Sequence, residues 1–325
     1  MDKDSLYILK FEPILKEKIW GGSKLNTILG KQEQGDHIGE SWEVSDVEDN
    51  YSVVSNGHFK GKTLKELLEV YSKRILGEKN FNRFGTKFPL LIKFIDAKED
   101  LSVQLHPDDE LAKVKHDSFG KTEMWYVLQA DRDSNLIIGF DKQVSPEEYE
   151  KSVADKTIKE LLHYEPVTTG DTFFVYAGLI HAIGKGVLLA EIQQTSDITY
   201  RIYDWDRTDA AGNYRELHQE DALEAIDFST DRESKVQYSS KKNEITSLVA
   251  CPYFITNLID IDQKKVITHE TLDSFVIYMC VAGSAEIIQN EQKMKINVGE
   301  TILVPAEIQE IEVVSKEAKF LQTYI

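Results

Sequence analysis

Cysteine is scarce: Cys251 and Cys280 are the only two in 325 residues, and they form no CxxC pair. That excludes a disulfide framework and a cysteine-built zinc site, and it fits a reducing cytoplasm. Positive charge is in deficit as well. A net charge of −18 gives no basic footprint for nucleic acid and would repel anionic lipid, so neither partner is expected. Any phosphate-bearing ligand has to meet locally clustered Lys and Arg. The start, MDKDSLYILKFEPILKEKIWGG, is charged throughout and holds no apolar stretch of signal-peptide or membrane-spanning length, so export and membrane insertion are not expected. Familiar catalytic signatures are missing too. There is no HExxH, no GxSxG and no GxxxxGK followed by Ser or Thr, and Gly184-Lys185-Gly186 is too short for a dinucleotide fingerprint. Hydrolase and NTPase readings fall away.

What is present suits a globular chain: 41% hydrophobic and 29% charged residues, enough for one large or two ordinary domains with a sizeable core. Short apolar or alternating runs recur between turn residues: FFVYAGLI (173–180), VLLAEIQ (187–193), SFVIYMCVAG (274–283), AEIIQN (285–290) and TILVPAEI (301–308). This spacing predicts a mainly β fold of sandwich or barrel type. Helices are few and carry start signals. Thr63 with Glu66 opens LKELLEVYSKRIL, and Ser145-Pro146-Glu147-Glu148 opens EEYEKSVADKTIKELLHY, both resembling capping boxes; ELHQEDALEAI (216–226) is a third candidate.

One internal match is informative. Gly170-Asp171-Thr172-Phe173-Phe174-Val175-Tyr176-Ala177 aligns with Gly299-Glu300-Thr301-Ile302-Leu303-Val304-Pro305-Ala306 at an offset of 129 residues. It predicts two related β-barrels. The polar stretch at 228–245 predicts the boundary, giving a catalytic domain at 1–235 with helical decorations and a degenerate barrel at 236–325. The first copy runs on to His181, whereas the same offset in the second lands on Glu310. Only the first copy then keeps a metal site.

The chemistry-bearing residues start at SVQLHPDDE (102–110). Gln104 and His106, two apart on a strand, face the same way, and Pro107 cannot extend the ladder. Glu123 and His181 also sit at or beside predicted strands. Two imidazoles and a carboxylate make a common open shell for catalytic zinc and suit non-haem iron equally, with Gln104 as a weaker fourth ligand. The plainer alternative is a set of hydrogen-bonded core histidines. Lys93 and Lys121 stand in the same segments, and Lys121 shares a strand face with Glu123 if that stretch is extended, a setting that suits an anionic substrate. Farther on come Glu191, Asp197 and Arg201. Arg201 lies between Tyr200 and Tyr203, where a guanidinium can hold a fixed orientation and meet oxyanions. Asp204, Asp206 and Arg207 read as a charged loop.

Taken together, KEKIWGG (16–22), GESWEVS (39–45), SVQLHPDD (102–109), KTEMWYVL (121–128), GLIHAIGKG (178–186) and EIQQTSDITYRIYDW (191–205) resemble type I mannose-6-phosphate isomerase over about the first two-thirds of the chain. The resemblance implies two cupin-type jelly-roll barrels with a few helices and one zinc ion per chain. It also implies interconversion of mannose 6-phosphate, a small sugar phosphate, with fructose 6-phosphate through an enediol. It places the metal at Gln104, His106, Glu123 and His181, and the catalytic arginine at Arg201. Glu191 and Asp197 match acidic positions and Lys93 and Lys121 match lysines, which makes the two lysines candidates for phosphate or hydroxyl contacts. The longer members carry a helical insertion for which 325 residues leave little room, so the resemblance is to the short bacterial form. The base is left open among Glu191, Asp197, Lys121 and water. Two rival readings remain from other classes: a sugar-responsive binding protein on the same barrel, and a two-histidine iron oxygenase.

Overall fold

The computed structural model describes residues 5–31, 37–47, 49–208, 211–229 and 232–325. Two antiparallel sheets form the first unit. A six-stranded sheet runs Thr172–Val175, Glu123–Ala130, Val187–Gln194, Leu90–Ala97, Ile38–Val44, Ile14–Gly22 in spatial order. A five-stranded sheet runs Leu162–Pro166, Asn135–Phe140, His181–Ile183, Val103–Leu105, Tyr200–Tyr203.

The central strands of the six-stranded sheet, Leu90–Ala97 and Val187–Gln194, are buried along their whole length. Both faces are covered, which is why LLIKFIDA and VLLAEIQQ read as near-continuous apolar runs instead of alternating. Leu90, Ile92, Phe94, Leu188, Ala190 and Ile192 point into a core shared with Phe275, Ile277, Leu303 and Leu321 of the C-terminal half. Ile95, Ala97, Val187 and Leu189 point the other way, into the sandwich interior. Lys93, Glu191 and Gln193 share that inward parity and face the inside of the first unit, whereas Asp96 and Gln194 have the opposite parity.

The second unit is a nine-stranded sheet built around two long strands, Val276–Gln289 and Glu310–Tyr324. Register shifts near Cys280 and Ser284 bend the first of them, which lets one sheet curl around its own core of Ile259, Tyr278, Ile302 and Phe320. The internal repeat holds in three dimensions. Gly170 and Gly299 both take left-handed backbone, φ +95° and +84°, and the strands Thr172–Val175 and Thr301–Val304 start two residues after each. The chain's two halves interlock. Leu9–Glu12 pairs with Thr301–Val304 and with Val53–Val54, so residues from the N-terminal segment extend the C-terminal sheet.

Several sequence expectations shift. The helix opened by Thr63 is present as Leu64–Leu76, with its reciprocal Thr63 and Glu66 capping box. The helix opened by Ser145 ends at Ala154, followed by a 3-10 turn at Ile158–Glu160 and the strand Leu162–Pro166. Helical spacing alone does not sustain a helix through Asp155 and Lys156, where Lys156 takes positive φ. The third helix is shorter than predicted, Gln219–Ala225. FFVYAGLI and TILVPAEI yield strands only over Thr172–Val175 and Thr301–Val304, while SFVIYMCVAG and AEIIQN merge into one strand. In the polar stretch 228–245, residues 230 and 231 lie outside the described residues. The rest packs down: Phe174 N–H donates to Ser234 O at 2.7 Å and Val236 N–H to Thr172 O at 2.8 Å.

Candidate active site

Two sheet faces deliver the site from opposite sides. In the five-stranded sheet His181 lies directly across from Gln104, and Gln104 across from Arg201, so the three side chains form a row on one face. In the six-stranded sheet the register aligns Trp125, Glu191, Lys93 and Trp42 over four strands. Both rows line a cavity of about 170 Å³, together with Lys121, Asp197 and Glu40. A larger groove of about 560 Å³ by His163, Glu165 and Lys235 offers, among the described residues, no buried polar atom lacking a partner. Chemistry, not size, marks the site.

His106, Glu123 and His181 are buried with their ligand-type atoms all within 4.8 Å of one another. His106 follows the strand Val103–Leu105, and Pro107 leads straight into a helix, Asp109–His116. Asp108 caps that helix by accepting the Leu111 N–H at 2.9 Å, which explains the acidic run after the proline. The helix itself went unread in the sequence.

Each imidazole is oriented by a main-chain carbonyl. His106 Nδ1 lies 2.8 Å from Ile198 O, and His181 Nδ1 lies 2.9 Å from Leu179 O. A carbonyl only accepts, so Nδ1 carries the proton and Nε2 presents its lone pair inward. His181 Nε2 and Glu123 Oε2 are buried without a hydrogen-bond partner, while Glu123 Oε1 meets the Lys121 ammonium and lies 3.2 Å from His106 Nε2. Converging, orphaned acceptors of this kind are what a divalent cation satisfies, and the donor set of two nitrogens and a carboxylate fits one. Protonation agrees. Burial, then the charge of Lys121, lowers His106 to about 4, and burial lowers His181. Burial alone would raise Glu123, but Lys121 and His106 hold it well below the usual carboxylate range. All three are in the deprotonated, ligating form at neutral pH.

Lys121 precedes the strand Glu123–Ala130, ion-pairs with Glu123 and sits 3.0 Å from His106 Nε2. Gln104 stands outside the trio but faces the same cavity, its Oε1 accepting from Ser102 Oγ at 3.2 Å. Glu191 accepts from Trp125 Nε1 at 3.0 Å and pairs with Lys93 Nζ at 3.0 Å. Burial opposes the charge on Lys93, yet Glu191, Glu40 and Glu123 raise its pKa, so it is a fully charged, buried cation. Arg201 is held differently from the sequence expectation. Its Nη1 donates to Glu216 O at 2.8 Å and its Nε to Ser102 Oγ at 3.4 Å, while Tyr200 turns to His116 and Tyr203 to Asp206.

The charged-loop reading of Asp204 is also corrected. Its side chain is 6% exposed and bridges Arg207 and Arg215. Sequence reasoning missed Arg215, Glu40, Lys18 and Ser102 as cavity residues. Glu40 and Lys18 lie in blocks that carried the family resemblance, but Arg215 sits just before a helix candidate and gave no signal.

Comparisons with known proteins agree with this geometry. Residues 8–132 match the family profile "Phosphomannose isomerase type I, catalytic domain", and residues 244–325 match "Mannose-6-phosphate isomerase, cupin domain". The chain is 35% identical over 300 residues to mannose-6-phosphate isomerase ManA of Bacillus subtilis, covering 91% of this chain and 92% of that one. It is 34% identical over 292 residues to mannose-6-phosphate isomerase of Streptococcus mutans, covering 90% of each. The crystal structure of mannose 6-phosphate isomerase from Bacillus subtilis superposes with a TM-score of 0.88 at 31% identity, over 98% of this chain and 100% of that one. With its two cupin-type units, its buried two-histidine, one-carboxylate cluster and these matches along nearly its whole length, the chain belongs to the type I mannose-6-phosphate isomerase family.

Proposed function

We propose that this protein interconverts mannose 6-phosphate and fructose 6-phosphate by moving a proton between C1 and C2 through an enediol. The observation that carries the reading is the buried trio His106, Glu123 and His181, with unspent acceptor atoms opening beside Arg201, Lys121 and Glu191. We assign zinc to the trio, one ion per chain, with Gln104 as a weaker fourth ligand. When bound, the ion supplies fixed positive charge next to the carbons whose oxygens gain charge during the reaction.

The protein's own groups divide the remaining work. Arg201, fixed by Glu216 O and Ser102, keeps its proton and offers stationary donors to a developing oxyanion. Among the described residues, three carboxylates outside the trio line the cavity: Glu40, Glu191 and Asp197. Glu40 accepts from Trp42 Nε1 at 2.6 Å and pairs with Lys18 at 3.2 Å, and Glu191 is engaged in the same way by Trp125 and Lys93. We keep Glu191 and Asp197, the acidic positions that the family resemblance marks, as the candidates to carry the proton, a role worth roughly 100- to 10,000-fold in rate. Lys93, enclosed by acids, keeps Glu191 ionised and is suited to a sugar hydroxyl. Lys121 lies close enough to the trio to meet the substrate's reacting oxygens. A cytoplasmic location is part of the same reading, from the free cysteines; no helix among the described residues is long and apolar enough to cross a membrane.

The test is direct. The zinc-loaded protein is incubated with mannose 6-phosphate and the approach to equilibrium with fructose 6-phosphate is followed. Binding without turnover would favour the sugar-binding alternative, and oxygen consumption with iron would favour the oxygenase.

A further inference from the structure

Among the described residues, five cationic side chains line the cavity: Lys18, Lys93, Lys121, Arg201 and Arg215. Three are answered by neighbouring acids. Lys93 pairs with Glu191 at 3.0 Å, Lys121 with Glu123, and Lys18 with Glu40 at 3.2 Å. The two arginines keep unspent donors. Arg201 stands in the row with Gln104 and His181 and so belongs to the reacting end. Arg215 does not.

Arg215 is a guanidinium aimed by a buried carboxylate. Its Nε donates to Asp204 Oδ2 at 2.6 Å and its Nη2 to Asp204 Oδ1, while its Nη1 donates to no described residue. The segment that bears it is pinned to the strand Tyr200–Tyr203. Arg201 Nη1 donates to Glu216 O at 2.8 Å, and His218 N–H donates to Arg201 O at 2.8 Å. Asp204 also accepts from Arg207 Nη2 at 2.6 Å, so one carboxylate answers two guanidiniums, with Arg201 adjoining. Positive charge is left in surplus there, in a chain whose net charge is −18. Burial, and then Arg215, lower the pKa of Arg201, with Asp204 acting in the opposite direction.

Exposure sets the direction. The side chains of His181 and Glu191 are 1% and 4% exposed, and that of Arg215 is 31%. Arg215 therefore stands toward the mouth of the cavity, as do Lys18, 36% exposed, and the exposed Asp197, while His181 of the trio lines its floor. A sugar phosphate with its C1 and C2 at the floor carries its dianion, four carbons away, toward that mouth.

We propose that Arg215 receives the phosphate of the substrate and that Asp204 is a positioning residue that aims it. This rests on the isomerase reading above. It assigns to the pair the selection of phosphorylated over free sugar, separate from the chemistry of Arg201 and the trio. The donors that Asp204 leaves open, on Nη1 and the second N–H of Nη2, lie side by side on the rigid guanidinium and match a phosphate's oxygens, which a mobile lysine does not.

The experiment measures inorganic phosphate binding to the zinc-loaded protein by titration calorimetry, beside steady-state kinetics with mannose 6-phosphate. Arg215→Gln should weaken phosphate binding and raise KM about 10- to 100-fold, the loss of a charge-assisted contact, with kcat within about threefold. Asp204→Asn separates aiming from bulk charge. It removes a negative charge from the mouth, so a simple field effect tightens phosphate binding, whereas loss of aim weakens it by about tenfold. Arg215→Lys, which keeps the charge and loses the fork, should fall between wild type and Arg215→Gln, and it serves if either other variant does not fold. Wild-type phosphate affinity in Arg215→Gln, or tighter binding in Asp204→Asn, overturns the proposal. Calorimetry needs no turnover. Phosphate bound through Arg215 in a protein that makes no fructose 6-phosphate would refute the isomerase reading and leave the anion seat standing.

Discussion

Lys93 and Glu191 face each other on adjacent antiparallel strands, Nζ to Oε1 at 3.0 Å, with side chains only 9% and 4% exposed. Two opposite charges are thereby held out of water in the middle of the six-stranded sheet, where Glu40 also acts on Lys93. Such a pair adds little net stability, but removing one partner strands the other, at a cost of about 3–5 kcal/mol. Lys93→Met should destabilise by that order in chemical denaturation, and the double variant Lys93→Met with Glu191→Leu should recover most of the loss. A double variant as unstable as the single one would show that the two charges are not coupled.

The trio makes a prediction about metal content. His181→Ala should lose most bound zinc and nearly all activity, read by elemental analysis beside kinetics, with the fold retained because its neighbours in the sandwich core remain. Gln104→Ala should be milder, since an amide oxygen is a weak ligand beside two imidazoles and a carboxylate. Stoichiometry should be one ion per chain. In the second barrel Glu310 is exposed. The interior holds His269, Tyr278 and Gln322, hydrogen-bonded at 2.7 and 2.8 Å to the Tyr278 hydroxyl. Glu310→Gln should leave kcat/KM unchanged, and a hundredfold loss would bring that barrel into the catalytic apparatus.

Arg201 tests where binding energy is used. A donor set aimed at charge that develops in the transition state acts on kcat, by about 100-fold or more per group lost. Arg201→Ala should therefore lower kcat far more than it raises KM. An effect confined to KM would move Arg201 to the substrate-holding groups.

Asp273 links the halves of the chain. It lies before the strand Val276–Gln289 yet caps the helix Glu78–Phe84, its carboxylate accepting the Glu78 and Lys79 N–H groups at 2.8 and 3.0 Å. Asp273→Ala should cost about 1 kcal/mol. The N–H groups of Lys79 and Glu78 hold its pKa below the ordinary value. The stabilisation is thus complete above the unfolded Asp pKa of about 3.9 and fades as pH falls through the lower folded one. Comparing wild type and variant in denaturation from pH 6 to pH 2 should show their stabilities converging at the acid end.

The mainly β fold, the barrel repeat and the capping box at Thr63 were legible in the sequence because each is local: a turn glycine before an apolar strand, or Thr followed three residues on by Glu. His106, Glu123 and His181 were nameable as metal-capable types, and the quoted blocks tied them to a family. Their proximity was not nameable, since 75 residues separate His106 from His181. Antiparallel register across two facing sheets brings them together. Register also decided that Lys93 spends its charge on Glu191, a partner 98 residues away, and that both of these side chains look inward. Asp204 and Arg215 show the limit most clearly. In sequence they are charged residues around a glycine-containing loop, with every reason to be solvated. Only the folded chain, by pinning residues 215–218 along the strand Tyr200–Tyr203, buries the carboxylate and turns the guanidinium toward the cavity, because hydrogen bonds between distant segments set side-chain direction where local propensity does not.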